Sequence, residues 1–102
     1  MKNHVFRYTF ESRVPFDEVE LSLSLALLAT ECLHGQCDVR LDVGHAVDTA
    51  KRICVVDAST PAGRDLRRLF VGFVTCEFGP NAFHVEHVDS PATTRDEQLV
   101  AA

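Results

Sequence analysis

No apolar run in this 102-residue chain approaches the ~18 to 20 residues that a membrane span requires, although 46% of its residues are hydrophobic. The longest candidate, Leu21–Ala29, is interrupted by Ser22 and Ser24 and flanked by Glu20 and Glu31. The first residues lead straight into an alternating segment with no apolar targeting stretch, so the chain is expected to stay where it is made. Basic residues are in deficit, ten against fifteen acidic ones, and the formal charge of −5 repels phosphate backbones, which makes nucleic acid a poor partner. There is no internal repeat, no low-complexity stretch, no Gly-x-Ser-x-Gly nucleophile elbow and no Gly-x4-Gly-Lys-Ser/Thr phosphate loop. No cofactor is implied. The four cysteines, Cys32, Cys37, Cys54 and Cys76, lie inside segments of good apolar pattern, which predicts small buried hydrophobes in a reducing compartment and a cytoplasmic location.

What is present is a hydrophobic pattern that changes period repeatedly. His4–Glu11 alternates, with Phe6, Tyr8 and Phe10 opposing Arg7 and Thr9, and reads as a strand. Asp17–His34 carries leucines at helical spacing; Asp17 is a candidate cap, Glu20 completes a capping box, Phe16 can staple against Leu21, and Gly35 ends the helix. The run Leu21, Leu23, Leu25, Leu27 also alternates perfectly, but length and the two end signals decide for helix. Asp38–Val43 alternates strictly and predicts a half-buried strand, followed by a hairpin turn over His45–Lys51 with Asp48-Thr49 at its tip. Arg52–Ala58 is a short apolar strand. Thr60–Phe78 is an amphipathic helix with Thr60 as cap, Pro61 in the first turn and Gly79-Pro80 as stop. Ala82–Val88 alternates again.

The order strand, helix, strand, strand, helix, strand resembles the ferredoxin-like βαββαβ sandwich, which implies an α+β fold with an antiparallel four-stranded sheet and both helices on one face. The chain has the size of one domain, assigned to residues 1–89, with residues 90–102 expected as a polar, poorly ordered tail. The resemblance is topological and brings no functional residues. The loop after the first strand, Ser12-Arg13-Val14-Pro15, lacks the Cys-x-x-Cys of copper-chaperone-like domains and the Gly-rich anion loop of acylphosphatases. Arg7, Thr9, Val55 and Asp57 stand where RNA-recognition domains carry aromatic residues.

The first helix is apolar on two sides. One stripe, Leu21, Leu25, Leu28 and Cys32, is sufficient to pack on the sheet. A second set, Val19, Leu23, Ala26, Leu27 and Leu33, lies on a different side, and leaving it in water forgoes roughly 1.5 to 3 kcal/mol per large side chain. That surplus predicts either a homodimer through the first helix, with Val19, Leu23 and Leu27 as self-association residues, or packing of the second set on the neighbouring helix or on the C-terminal tail through Leu99 and Val100.

Four groups carry candidate chemistry. Cys32, His34 and Cys37 bring two thiols and an imidazole around a turn, but not at a common zinc spacing, so ordinary burial accounts for them and no metal is assigned. His84 and Glu86 share the open sheet face with Arg7 and Thr9, with Asp57, Arg40 and Asp42 further across. An acid/base site using His84, Glu86 or Asp57 is conceivable there, against the simpler reading of a solvated face laced with ion pairs. The Asp57–Arg64 segment enters a helix N-terminus, where capping is a sufficient role. Arg64, Arg67 and Arg68 form a basic patch at helical spacing, fit for an anion or an acidic partner, or simply a wet helix face. These readings favour a small homo-oligomeric binding or regulatory domain without catalytic activity; the alternative is a small dimeric α+β barrel-type enzyme built on a His/carboxylate pair.

Overall fold

The structure, a computed structural model, describes residues 4–88. Seven elements follow one another: β1 (Val5–Phe10), α1 (Phe16–His34), α2 (Gln36–Asp42), β2 (His45–Asp48), β3 (Ile53–Asp57), α3 (Pro61–Phe78) and β4 (Phe83–Val88). The fold is α+β, and its four strands form one antiparallel sheet in the order β2-β3-β1-β4. The domain limit at residue 89 and the 90–102 tail lie outside the described residues.

Register follows from the period-two pattern. Tyr8 stands opposite Cys54 on one side and Val85 on the other, while Phe6 stands opposite Val56 and His87. Phe6, Tyr8 and Phe10 therefore share the face that α1 and α3 cover. Tyr8 and Phe10 meet Val19, Leu23 and Ala26 of α1 and Leu66, Phe70 and Val74 of α3 in one core. The packing is aromatic at its centre: Tyr8 meets Phe70 edge-on at 5.5 Å between ring centroids, and Phe10 lies 5.3 Å from Phe83.

The segment predicted as a strand over Asp38–Val43 is helical over Gln36–Asp42, with Val43 N donating to Val39 O at 2.9 Å. Six residues that alternate strictly are too few to separate the two periods, and Val39 buries itself from a helix as well as it would from a strand. Gly35 at φ 92° turns the chain between α1 and α2. The true second strand, His45–Asp48, falls in the stretch read as a turn. It is a short, exposed edge strand held by backbone pairing to β3, and its sequence carries little strand signal. Arg40 and Asp42 consequently belong to α2 and not to the sheet.

The first helix forms where expected but without the predicted cap. It starts at Phe16 behind Pro15, with no side-chain cap, and Phe16 enters the core instead of stapling to the exposed Leu21. The two apolar stripes have exchanged roles, except that Leu33 of the second set is exposed. Val19, Leu23 and Ala26 are 0 to 3% exposed and Leu27 is partly buried, whereas Leu21, Leu25 and Leu28 are 50 to 60% exposed. Val19 and Leu23 are thus spent on the subunit's own core and are not available for self-association. The reason lies at the N-terminus: with Phe16 inward, helical spacing brings Val19, Leu23 and Ala26 onto the same side.

At α3 the sequence signals hold. Thr60 Oγ1 accepts from Gly63 N at 3.0 Å, and Pro61 opens the first turn. A Cβ on Gly63 would stand 2.2 Å from the Asp57 carbonyl oxygen, so the close approach of α3 to the end of β3 demands glycine there. This approach sets the geometry of the site below.

Candidate functional site

The antiparallel pair α1 and α3 is pinned at one end by His34 Nε2, 2.7 Å from Asp65 Oδ2. The β3–α3 corner is fixed by Asp57, whose Oδ1 accepts from Ser59 N at 2.9 Å and Ser59 Oγ at 2.5 Å. The same corner is tied to the start of β1: Ala58 N donates to His4 O at 2.7 Å, and His4 N donates to Ser59 Oγ at 3.1 Å. Three separate pieces of chain therefore converge on the helix side of the sheet, near its β4 edge.

They enclose a cavity of about 240 Å³ lined by His4, Phe6, Ala58, Arg64, Arg67 and Arg68. Helical spacing puts the three arginines on one flank of α3. The period of two along β1 puts His4 and Phe6 on the face toward that flank, with Tyr8 deeper in the same row. The Arg67 guanidinium lies over the Phe6 ring at 3.9 Å. An imidazole also lies against Phe6: the His87 ring centroid is 5.0 Å away, and His4 stacks on His87 at 5.7 Å.

Charge in the cavity is one-sided. Among the described residues, no carboxylate forms an ion pair with Arg64, Arg67 or Arg68. The two acidic residues of the neighbouring sequence are engaged elsewhere, Asp57 with Ser59 and Asp65 with His34. Behind the cavity, Tyr8 Oη and Arg67 Nε are buried; the phenol lies beside the Arg67 side chain, from which its oxygen can accept, and Arg67 Nε has no hydrogen-bond partner among the described residues. Burial pushes the Tyr8 phenol above its usual pKa, and the adjacent Arg67 cation offsets this only in part.

The other candidate residues are not gathered in this way. Glu86 accepts from Arg7 Nε at 2.8 Å, and His84 is 81% exposed with Glu11 3.8 Å away. Asp57 pairs with Val5 in register and Glu86 with Arg7, so two strand spacings and a two-residue offset, together about 12 Å, separate them. Neither described cavity includes His84, Glu86 or Asp57. His34 is occupied by Asp65, and no cluster of three potential metal ligands exists among the described residues. The burial expected for the cysteines holds for Cys54 alone; Cys32, Cys37 and Cys76 are exposed, because Cys32 follows the outward stripe of α1 and Cys37 opens α2.

A second surface lies on the outer side of the helix layer. Leu21, Leu25, Leu28 and Cys32 recur at steps of four, three and four along α1, about half a turn away from the core stripe. Beside Leu25, the groove between α1 and α3 holds a cavity of about 390 Å³ lined also by Ser22, Phe73, Cys76 and Glu77.

The arginine patch was legible in the sequence, but its partners were not. His4, Phe6 and Tyr8 could be placed on one face by their alternation. That this face meets the arginine flank depends on the close β3–α3 turn at Gly63. No described helix is long and apolar enough to cross a membrane. In comparisons with known proteins, no family model, no curated protein and no solved structure matches the chain.

Proposed function

We propose that this chain is a small, non-catalytic binding domain of the ferredoxin-like class that takes an anionic ligand in the pocket formed by Arg64, Arg67 and Arg68. The strand order supports the class: read from the other edge it is β4-β1-β3-β2, with α1 and α3 as the two crossovers and α2 an added turn of helix before β2. Free thiols at all four cysteines fit a reducing compartment such as the cytoplasm.

The observation that carries the ligand reading is the uncompensated charge. Guanidinium groups stay protonated at any physiological pH, and three of them around a small cavity repel one another unless an anion intervenes. Asp57 and Asp65, the nearest carboxylates in sequence, accept hydrogen bonds from Ser59 and His34 and form no ion pair with the three arginines, so they offset the pocket's positive charge only in part. Thermal unfolding measured in phosphate and in chloride at matched ionic strength tests this. Phosphate should raise the midpoint of the folded protein, and the double change Arg64→Gln, Arg68→Gln should abolish the difference. An equal midpoint in both salts would count against the reading.

A specific observation also favours self-association. The exposed series Leu21, Leu25, Leu28, Cys32 has the four–three–four spacing of a coiled-coil seam, a little under two heptads long. A single seam running straight down one helix is self-complementary about a two-fold axis, so the proposed occupant is α1 of a second copy.

A further inference from the structure

We infer that the ligand of the arginine pocket is a small organic phosphate monoester, bound as its dianion. This rests on the anion-pocket reading above and goes on to name the charge and shape of what enters. Charge comes first. A carboxylate or sulfate ester brings one negative charge to three fixed positive ones, whereas a phosphate monoester brings close to two at neutral pH, its second pKa being about 6. Arg64 and Arg68 are exposed and free to move onto a ligand, while Arg67 is held in place on Phe6. Three guanidiniums arriving from one helix flank surround a tetrahedral phosphoryl group, with its three terminal oxygens, more completely than a planar carboxylate with two. The N-terminal end of α3, at Pro61, adds its positive dipole from the same side.

Size and lining define the rest. The cavity of about 240 Å³ corresponds to the liquid volume of roughly eight waters. It is open on one side and lies below the range of about 300 to 1,000 Å³ typical for drug-sized ligands, so a compact ligand is enough to fill it. Phe6 and Ala58 give the pocket an apolar wall that inorganic phosphate leaves in water and a short organic group covers. Behind the pocket the Tyr8 phenol oxygen can accept from the Arg67 guanidinium, which leaves the Arg67 Nε–H as a buried donor at the pocket wall. Leaving such a donor unsatisfied is costly, and an acceptor oxygen carried in by the ligand, or by a water that it orders, satisfies it.

Three probes of related shape separate the parts of this inference in calorimetric titrations at pH 7.5 and constant ionic strength. They are phenyl phosphate, phenyl sulfate and inorganic phosphate. Phenyl phosphate should bind at least tenfold more tightly than phenyl sulfate, which has the same shape and one charge fewer, and severalfold more tightly than inorganic phosphate, which lacks the organic group. Replacing Arg64 and Arg68 together by glutamine should weaken phenyl phosphate at least tenfold while the folded circular dichroism spectrum persists, since both side chains are exposed. Equal affinity for phenyl phosphate and phenyl sulfate overturns the dianion assignment and leaves the anion pocket standing. Equal affinity for phenyl phosphate and inorganic phosphate overturns the organic group. Failure of all three to bind, or binding indifferent to the double change, overturns the pocket itself.

Discussion

Arg52 shows how much one side chain can hold together in a small sheet. It sits in the left-handed region at φ 61°, closing the turn between β2 and β3, and its guanidinium donates to the carbonyls of Glu11 (2.8 Å) and Val14 while lying 5.6 Å from the Phe16 ring. Turn, β1–α1 loop and helix start are thereby joined. Arg52→Ala should cost about 2 to 3 kcal/mol in urea unfolding, since charge-assisted bonds to backbone are the stronger kind; a loss under 0.5 kcal/mol would deny it this role. Cys54 tests the core in another way. Burial, reinforced by the negative charge of Glu20, pushes its thiol up to about 12 from an ordinary 9.0. The unfolded thiol ionises first as pH rises, so the contribution of Cys54 is intact below 9.0 and is lost between there and about 12. Stability should therefore fall through this alkaline window, and Cys54→Ala should flatten the slope. At pH 8 a disulfide reagent should react quickly with the exposed Cys32, Cys37 and Cys76 and with Cys54 only after denaturation.

At the scale of elements, α1 fills the core and the β3–α3 corner shapes the proposed anion pocket. Leu23→Ala should destabilise the subunit by about 2 to 5 kcal/mol, as expected for a fully buried leucine. Leu25→Glu, on the outward seam, should leave stability of the monomer nearly unchanged and halve the mass seen by sedimentation; a wild-type protein that sediments as a monomer would refute the pairing. Gly63→Ala forces a Cβ into the Asp57 carbonyl and should both destabilise the fold and weaken anion binding, because the corner that carries Ala58 must shift. The sequence made α3, β1, β3 and β4 legible because capping residues and a helix-stopping glycine mark α3, a clean alternation marks β1 and β4, and a short apolar run marks β3. It misled where two periods coincide over a few residues, as in Asp38–Val43, and where an edge strand such as His45–Asp48 is exposed on both faces and held by backbone alone. It also disclosed that α1 is apolar on two sides without disclosing which side faces inward. That choice is made by where Phe16 and the sheet meet, which is a tertiary fact.

Across the whole molecule, the arginine pocket is a basic island on a chain of net charge −5. The negative field of the whole chain opposes a long polyanion more than a compact monoester, which fits the proposal of a small ligand. It also makes the interaction sensitive to salt, and affinity should decline as ionic strength rises. The measurement that reaches the central claim most directly is a nuclear magnetic resonance titration of the arginine side-chain Nε–H groups with phenyl phosphate. The account predicts that the resonances of Arg64, Arg67 and Arg68 shift together and saturably, while those of Arg7 and Arg52, committed to Glu86 and to backbone carbonyls, remain in place. Uniform small drifts of every arginine, or shifts that exclude the α3 trio, would contradict it.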